Sequence, residues 1–245
     1  MTGKILIVPF LIFILGCGQI AYRGFYSALL DSAPPVSTPY KIQEKSTMFV
    51  SAYYNFSGGF YQWDSNRFYR LNLISAGGRD FYKWALGGFV YFGNYMYYKP
   101  IVIYFPDFKN HVGESEYFVS YPYFGVGFDF DANISIPLGK IMDIGVGTFG
   151  GFFGEFGDYT DFRKSRENLN YPPEIGLLVG VYPCFQFNFS ENNKLAFRVG
   201  QGLPGFIFAN LSFYNAKYGG LWVGSHLQEN GKFKITSVGV SVRVK

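Results

Sequence analysis

Asp129 and Asp131 are the first groups in this sequence whose type and spacing could do chemistry. Two residues apart on an extended chain, they share one face and stand about 7 Å from each other. That spacing suits a pair of acid–base carboxylates, but it suits partners for buried arginines better. Arg198 and Arg243 each sit among alternating apolar residues, so their guanidinium groups are expected on the polar face of a sheet. An arginine taken out of water needs a counter-charge. Asp129, Asp131, Arg198 and Arg243 are therefore expected to line one interior as an ion-pair network or as a ligand site. The two histidines, His111 and His226, offer less. His111 has Glu114 and Glu116 nearby and His226 follows Ser225, yet no third and fourth ligand converge on either, so no metal or other cofactor is expected. Neighbours on a strand point to opposite faces, so Ser225 and His226 do not make a nucleophile and its base together. No strong catalytic motif is present, and an enzymatic role is not the favoured reading.

The segment that carries the two aspartates is also the clearest structural signal. From 124 to 136, Phe124, Val126, Phe128, Phe130, Ala132, Ile134 and Ile136 alternate with Gly125, Gly127, Asp129, Asp131, Asn133 and Ser135. Only a period of two gives that separation. At about 3.3 Å per residue the run reaches about 40 Å, long for a soluble sheet and ample for a tilted membrane strand. A second apolar edge runs through Ile175, Leu177, Val179, Val181, Pro183, Phe185, Phe187 and Phe189. Pro183 lacks an N–H, which calls for a bulge or a locally unpaired position.

Further strands are expected at 48–56, 67–74, 81–92, 99–105, 141–149, 195–200, 206–214, 218–225 and 232–244. Tyrosines blur the alternation in 81–105, and 80–86 also reads as a helix. Residues 106–116 form a polar connection, and 150–173, rich in charge, reads as the main exposed loop. Tyr159, Arg163, Lys164, Arg166 and Tyr171 in that loop are candidate contacts for a protein partner, over residues 154–173. Asn230-Gly231 marks the last hairpin. The count is about ten strands, with eight or twelve as alternatives, joined by short connections into an antiparallel up-and-down meander.

Composition points the same way. The chain has 29 Phe, 21 Tyr and 31 Gly, with 22% aromatic and only 16% charged residues. A membrane barrel turns apolar groups outward and keeps small and polar groups inside, which accommodates this mixture without a run long enough for a spanning helix. The net charge of +4 is dispersed, so nucleic acid is not an expected partner. No βαβ rhythm appears, which excludes nucleotide-binding sheets of that type. Gly125, Gly127, Gly145, Gly147, Gly176, Gly180, Gly200 and Gly239 fall on the inward face. They either leave room for a ligand or let large side chains such as Phe149, Tyr182 and Trp222 fill the interior. Filling is favoured, because ten strands enclose limited space.

At the N-terminus Lys4 precedes an apolar stretch from 5 to 15, too short to span a bilayer as a helix. The tetrad Ile14-Leu15-Gly16-Cys17 that follows resembles a bacterial lipobox. The resemblance implies a signal peptide over 1–16, lipidation of Cys17, and outer-membrane sorting permitted by Gly18 and Gln19. Residues 17–46, with Pro34-Pro35 and Pro39, then read as a tether, and 47–245 as the barrel domain. From about Thr47 onward the chain resembles a small bacterial outer-membrane β-barrel. That class implies a bilayer as partner and a structural, adhesion or partner-binding role. Three alternatives follow from similar resemblances: a narrow barrel that binds or passes a small molecule or ion, an outer-membrane acyltransferase or lipase using His226 or His111, and a periplasmic lipocalin-like lipoprotein with its aromatic side chains inside.

Overall fold

A computed structural model describes residues 47–58, 65–79, 81–104, 112–165, 175–203, 206–227 and 233–244. The expected leader over 1–16, Cys17 and the expected tether over 17–46 lie outside the described residues, as do His111, Arg166 and Tyr171. Ten strands follow one another in chain order: β1 (Thr47–Gly58), β2 (Ser65–Arg79), β3 (Tyr82–Tyr104), β4 (Val112–Leu138), β5 (Met142–Phe156), β6 (Ile175–Asn188), β7 (Asn193–Leu203), β8 (Phe206–Asn215), β9 (Gly219–Leu227) and β10 (Phe233–Val244). One short helix, α1 (Asp158–Lys164), follows β5.

Each strand pairs antiparallel with its sequence neighbour, and β10 returns to β1 from Asn55↔Ser237 to Met48↔Val244. The sheet is thus a closed, all-antiparallel, ten-stranded up-and-down barrel. Closure removes the two edges at which an open sheet would present unpaired N–H and C=O groups.

The period-two reading of 124–136 holds residue by residue. Phe124, Val126, Phe128, Phe130, Ile134 and Ile136 are exposed, up to 67% at Phe128, whereas Asp131, Asn133 and Ser135 are buried. The same alternation covers β1 and β10, with Val50, Val238, Val240 and Val242 exposed and Phe49, Ser51, Ser237 and Ser241 buried. A band of Phe, Leu, Ile and Val therefore surrounds the outside.

Four expectations need correction. The two strands expected at 81–92 and 99–105 are replaced by one continuous strand, β3 (Tyr82–Tyr104), which pairs with β4 along its whole length, from Tyr82↔Ile134 to Tyr104↔Val112. The tyrosines blurred this because such rings tolerate either face: Tyr91 and Tyr95 are buried, while Tyr82 is exposed. The alternative helix at 80–86 is absent, since 82–86 is strand with Lys83 and Ala85 inside. The polar connection is shorter than expected, because β4 already begins at Val112. The segment from 150 is not a loop at its start: β5 continues to Phe156, with Phe153 and Glu155 inward, and then enters α1. Glycines hid that continuation by removing the side chains that mark a face.

Pro183 leaves β6 and β7 in register. Pairing is recorded at Val181↔Gln201 and again at Cys184↔Arg198, with nothing between. This is the locally unpaired position that its missing N–H demands. A one-residue register shift instead falls in β10, between Ile235 and Ser237.

The interior is filled. Side-chain clusters centre on Phe68, Tyr91 and Tyr123, on Phe49, Tyr53 and Trp222, and on Phe149, Tyr182 and Phe208. The inward glycines lie directly beneath these rings. A Cβ at Gly125 would enter the ring of Tyr91, one at Gly147 that of Tyr182, and one at Gly180 that of Phe149. The favoured filling role of Phe149, Tyr182 and Trp222 is what the structure has. Gly125→Leu should accordingly lower stability by about 1–3 kcal/mol through overpacking. The neighbouring outward Val126→Leu should leave the circular-dichroism melting curve within error of the parent.

Candidate functional site

Three ion-paired groups lie inside the barrel, apart from the buried Lys83 and Lys194, which donate to Ser135 and Asn188. In the first, Arg70 of β2 pairs with Asp129 of β4. Arg70 Nε also donates to Asn72 Oδ1 (2.9 Å), and Asn72 Nδ2 donates to Asp129 Oδ2 (3.2 Å). The guanidinium lies over the Phe89 ring at 3.7 Å. Strand geometry places the group: Arg70 and Asn72 are two apart on β2, opposite the outward Leu71 and Leu73, and so enter the interior together.

The second group joins β4, β6 and β7. Arg198 Nη1 lies 2.8 Å from Asp131 Oδ2, and the Tyr182 hydroxyl donates to Asp131 Oδ1 at 2.6 Å. Arg198 also covers the Tyr182 ring at 4.7 Å. Asp131 and Arg198 are only 3% and 1% exposed, so the pair is fully withdrawn from solvent.

The third group connects the wall to α1. Arg163 Nη2 lies 2.8 Å from Glu155 Oε1, with side chains 1% and 0% exposed. The Tyr91 hydroxyl donates to Glu155 Oε2 at 3.1 Å. Tyr159 stacks on Tyr95 at 4.3 Å, and Phe162 on Tyr121 at 4.2 Å. Tyr159, Phe162 and Arg163 are spaced i, i+3 and i+4, which gives a single turn of helix one inward face. Asp161 and Lys164 remain exposed on the other side and form a pair at 4.0 Å. The reversal from β5 into α1 needs Gly157, whose φ of 114° is strained for any residue with a side chain.

The aspartates and arginines singled out in the sequence are thus only partly brought together. Asp131 meets Arg198, as expected. Asp129 meets Arg70 instead, a residue the sequence reading passed over although its alternation with Tyr69 and Leu71 gives the same signal as that of Arg198. Arg243 is a correction. It has the right parity, but it lies at the end of β10, is exposed, and donates to the Ala216 carbonyl at 2.8 Å. Proximity to the rim, not face, decides its environment.

The candidate partner surface over 154–173 also changes. Tyr159 and Arg163 are buried, so neither belongs to an exposed patch; Lys164 is exposed. Charge in that segment suggested solvent, whereas Arg163 has its counter-charge inside. Glu155 was missed for the same reason, although its inward parity after Phe153 marks it. Among the described residues no cluster of His, Cys, Asp or Glu could hold a metal ion. Ser225 and His226 belong to β9, and Cys184 is a buried free thiol.

No family model matches the sequence, and no curated protein matches it. Among solved structures, the crystal structure of the β domain of the Bordetella autotransporter BrkA matches 82% of this chain and 99% of its own, at 9% identity with a TM-score of 0.41. A likeness that distant carries no argument about function. The ten-strand barrel stands on its own register.

Breaking a buried pair strands the remaining charge, typically at about 3–5 kcal/mol. Asp131→Ala should therefore lower unfolding stability by about that amount in urea titrations. Adding Arg198→Met to it should recover a substantial part, because the uncompensated guanidinium is then gone. A double variant less stable than Asp131→Ala by the full cost of Arg198→Met alone would show that Arg198 and Asp131 are not energetically coupled.

Proposed function

We propose that this chain is an outer-membrane barrel with a sealed interior, acting as a lipid-anchored structural, adhesion or partner-binding element of a bacterial envelope. The observation that carries this reading is the division of the barrel wall. Phe128, Leu177, Val146 and Phe152 are exposed on the outside, while Arg70, Asp131, Arg198 and Glu155 are enclosed. In water that arrangement leaves a continuous apolar surface far beyond what a soluble monomer presents. In a bilayer the same band meets hydrocarbon, and closure leaves the sheet no open edge. It also disfavours the lipocalin-like alternative, which requires the greasy face inside.

The packed interior favours a structural element over a conduit. Rings of Tyr91, Tyr182, Phe149 and Phe153 stand over the inward glycines, and α1 packs Tyr159 and Phe162 against the wall. Interaction would then use segments outside the barrel wall, with exposed Lys164 at the margin of one of them. The anchor belongs to the same proposal: Cys17, within a lipobox-like tetrad, would carry the acyl chains and 17–46 would link them to β1.

Nitroxide labels on Phe128→Cys and Phe187→Cys, made in a Cys184→Ser background and reconstituted in phospholipid vesicles, are expected to be reached by oxygen and protected from a water-soluble relaxant. Ready access of the aqueous relaxant to both would defeat the membrane reading. For the anchor, Cys17→Ser should abolish incorporation of labelled palmitate in cells. Unchanged incorporation would place any acyl group elsewhere.

A further inference from the structure

Among the described residues the outer wall contains a depression where its composition and its hydrogen bonding change together. Around most of the band large side chains lie side by side, as with Phe124 and Phe156 at 5.4 Å. At one level across β5 to β8, between outward rings such as Phe152, Phe185 and Phe197, the outward positions are instead filled by Val146, Val181, Pro183, Val199 and Ile207. These residues surround an apolar groove of about 280 Å³. The groove coincides with the interrupted part of the β6–β7 ladder, between Val181↔Gln201 and Cys184↔Arg198.

One absent atom explains the interruption. In an antiparallel pair alternate residues exchange both backbone bonds. The register sets Pro183 opposite Val199, and proline has no N–H to donate there. Behind the groove, Tyr182 and Phe208 fill the inside, and a Cβ on Gly200 would clash with both and with the Val181 carbonyl. The depression therefore ends at a packed interior and is a pocket in the wall, open outward.

We propose, resting on the membrane reading above, that this groove holds one acyl chain of a membrane phospholipid as a discrete bound lipid. Its apolar lining is continuous with the band that would face hydrocarbon, and it offers no charged side chain to a polar ligand. A peptide strand is a poor occupant. The ladder resumes on both sides of the gap, so no free edge exists for strand addition. The small, branched lining residues leave a recess that only a slender, flexible chain follows.

The test is native mass spectrometry on the intact protein reconstituted in dioleoylphosphatidylcholine vesicles and transferred to mild detergent. Wild type and Phe128→Trp, which alters the band away from the groove, should each retain one phospholipid. Val199→Trp and Ile207→Trp, which fill the groove from the adjacent strands β7 and β8, should each lower that retained fraction at least tenfold. Equal retention in both groove variants, or none in the wild type, would overturn the proposal. A dimer without lipid that both variants dissolve would overturn it in favour of a second copy of this chain. Vesicle flotation separates the two readings: protein that floats yet retains no lipid sinks only the groove proposal, whereas protein that fails to float sinks the membrane reading and this proposal together.

Discussion

A sheet whose one face is apolar and whose other face carries charge has few stable arrangements, and the β1–β10 ladder selects among them. Pairing Met48 with Val244 and Asn55 with Ser237 joins the first and last strands, separated by nearly the whole barrel sequence. Once that seam forms, inside and outside become distinct. Each residue's parity then fixes its face, because a slip of one position would exchange every side chain between faces. Val238, Val240 and Val242 would move in, and Ser237 and Ser241 would move out. The ion pairs, the aromatic filling and the outer band all presuppose this closure.

Closure also makes the interior charges tenable. Buried carboxylates and guanidinium groups are costly alone and acceptable when paired and hydrogen-bonded. Asp129, Asp131 and Glu155 each have both supports. Asp131 takes Arg198 and the Tyr182 hydroxyl, Glu155 takes Arg163 and the Tyr91 hydroxyl, and Asp129 takes Arg70 and Asn72. Two of the pairs link strands that are not neighbours in the sheet, β2 with β4 and β4 with β7, so they tie the barrel across its interior as well as around its wall. An aromatic ring lies against each guanidinium, Phe89 on Arg70, Tyr182 on Arg198 and Tyr159 on Arg163.

Helix α1 extends the same logic beyond the wall. It is too short to be stable alone. Its position depends on a glycine-enabled reversal at Gly157, one buried ion pair and the stacking of Tyr159 and Phe162. A charged segment thereby becomes part of the interior, and the surface available to a partner shifts away from Tyr159 and Arg163.

The amino-acid order by itself determined the strands and their two faces, because a period of two is local and survives without any knowledge of neighbours. The run 124–136, the Val238–Val242 alternation and the missing donor at Pro183 were all legible in this way, as was the inward parity of Asp131 and Arg198. Only the tertiary structure decided which charges meet. Asp129 pairs with Arg70 because β2 lies near β4 across one intervening strand, and Arg243 is left at the rim because β10 ends there. Parity is written within a strand, whereas depth, partner and the inward turn of α1 depend on how far each strand reaches once the sheet has closed.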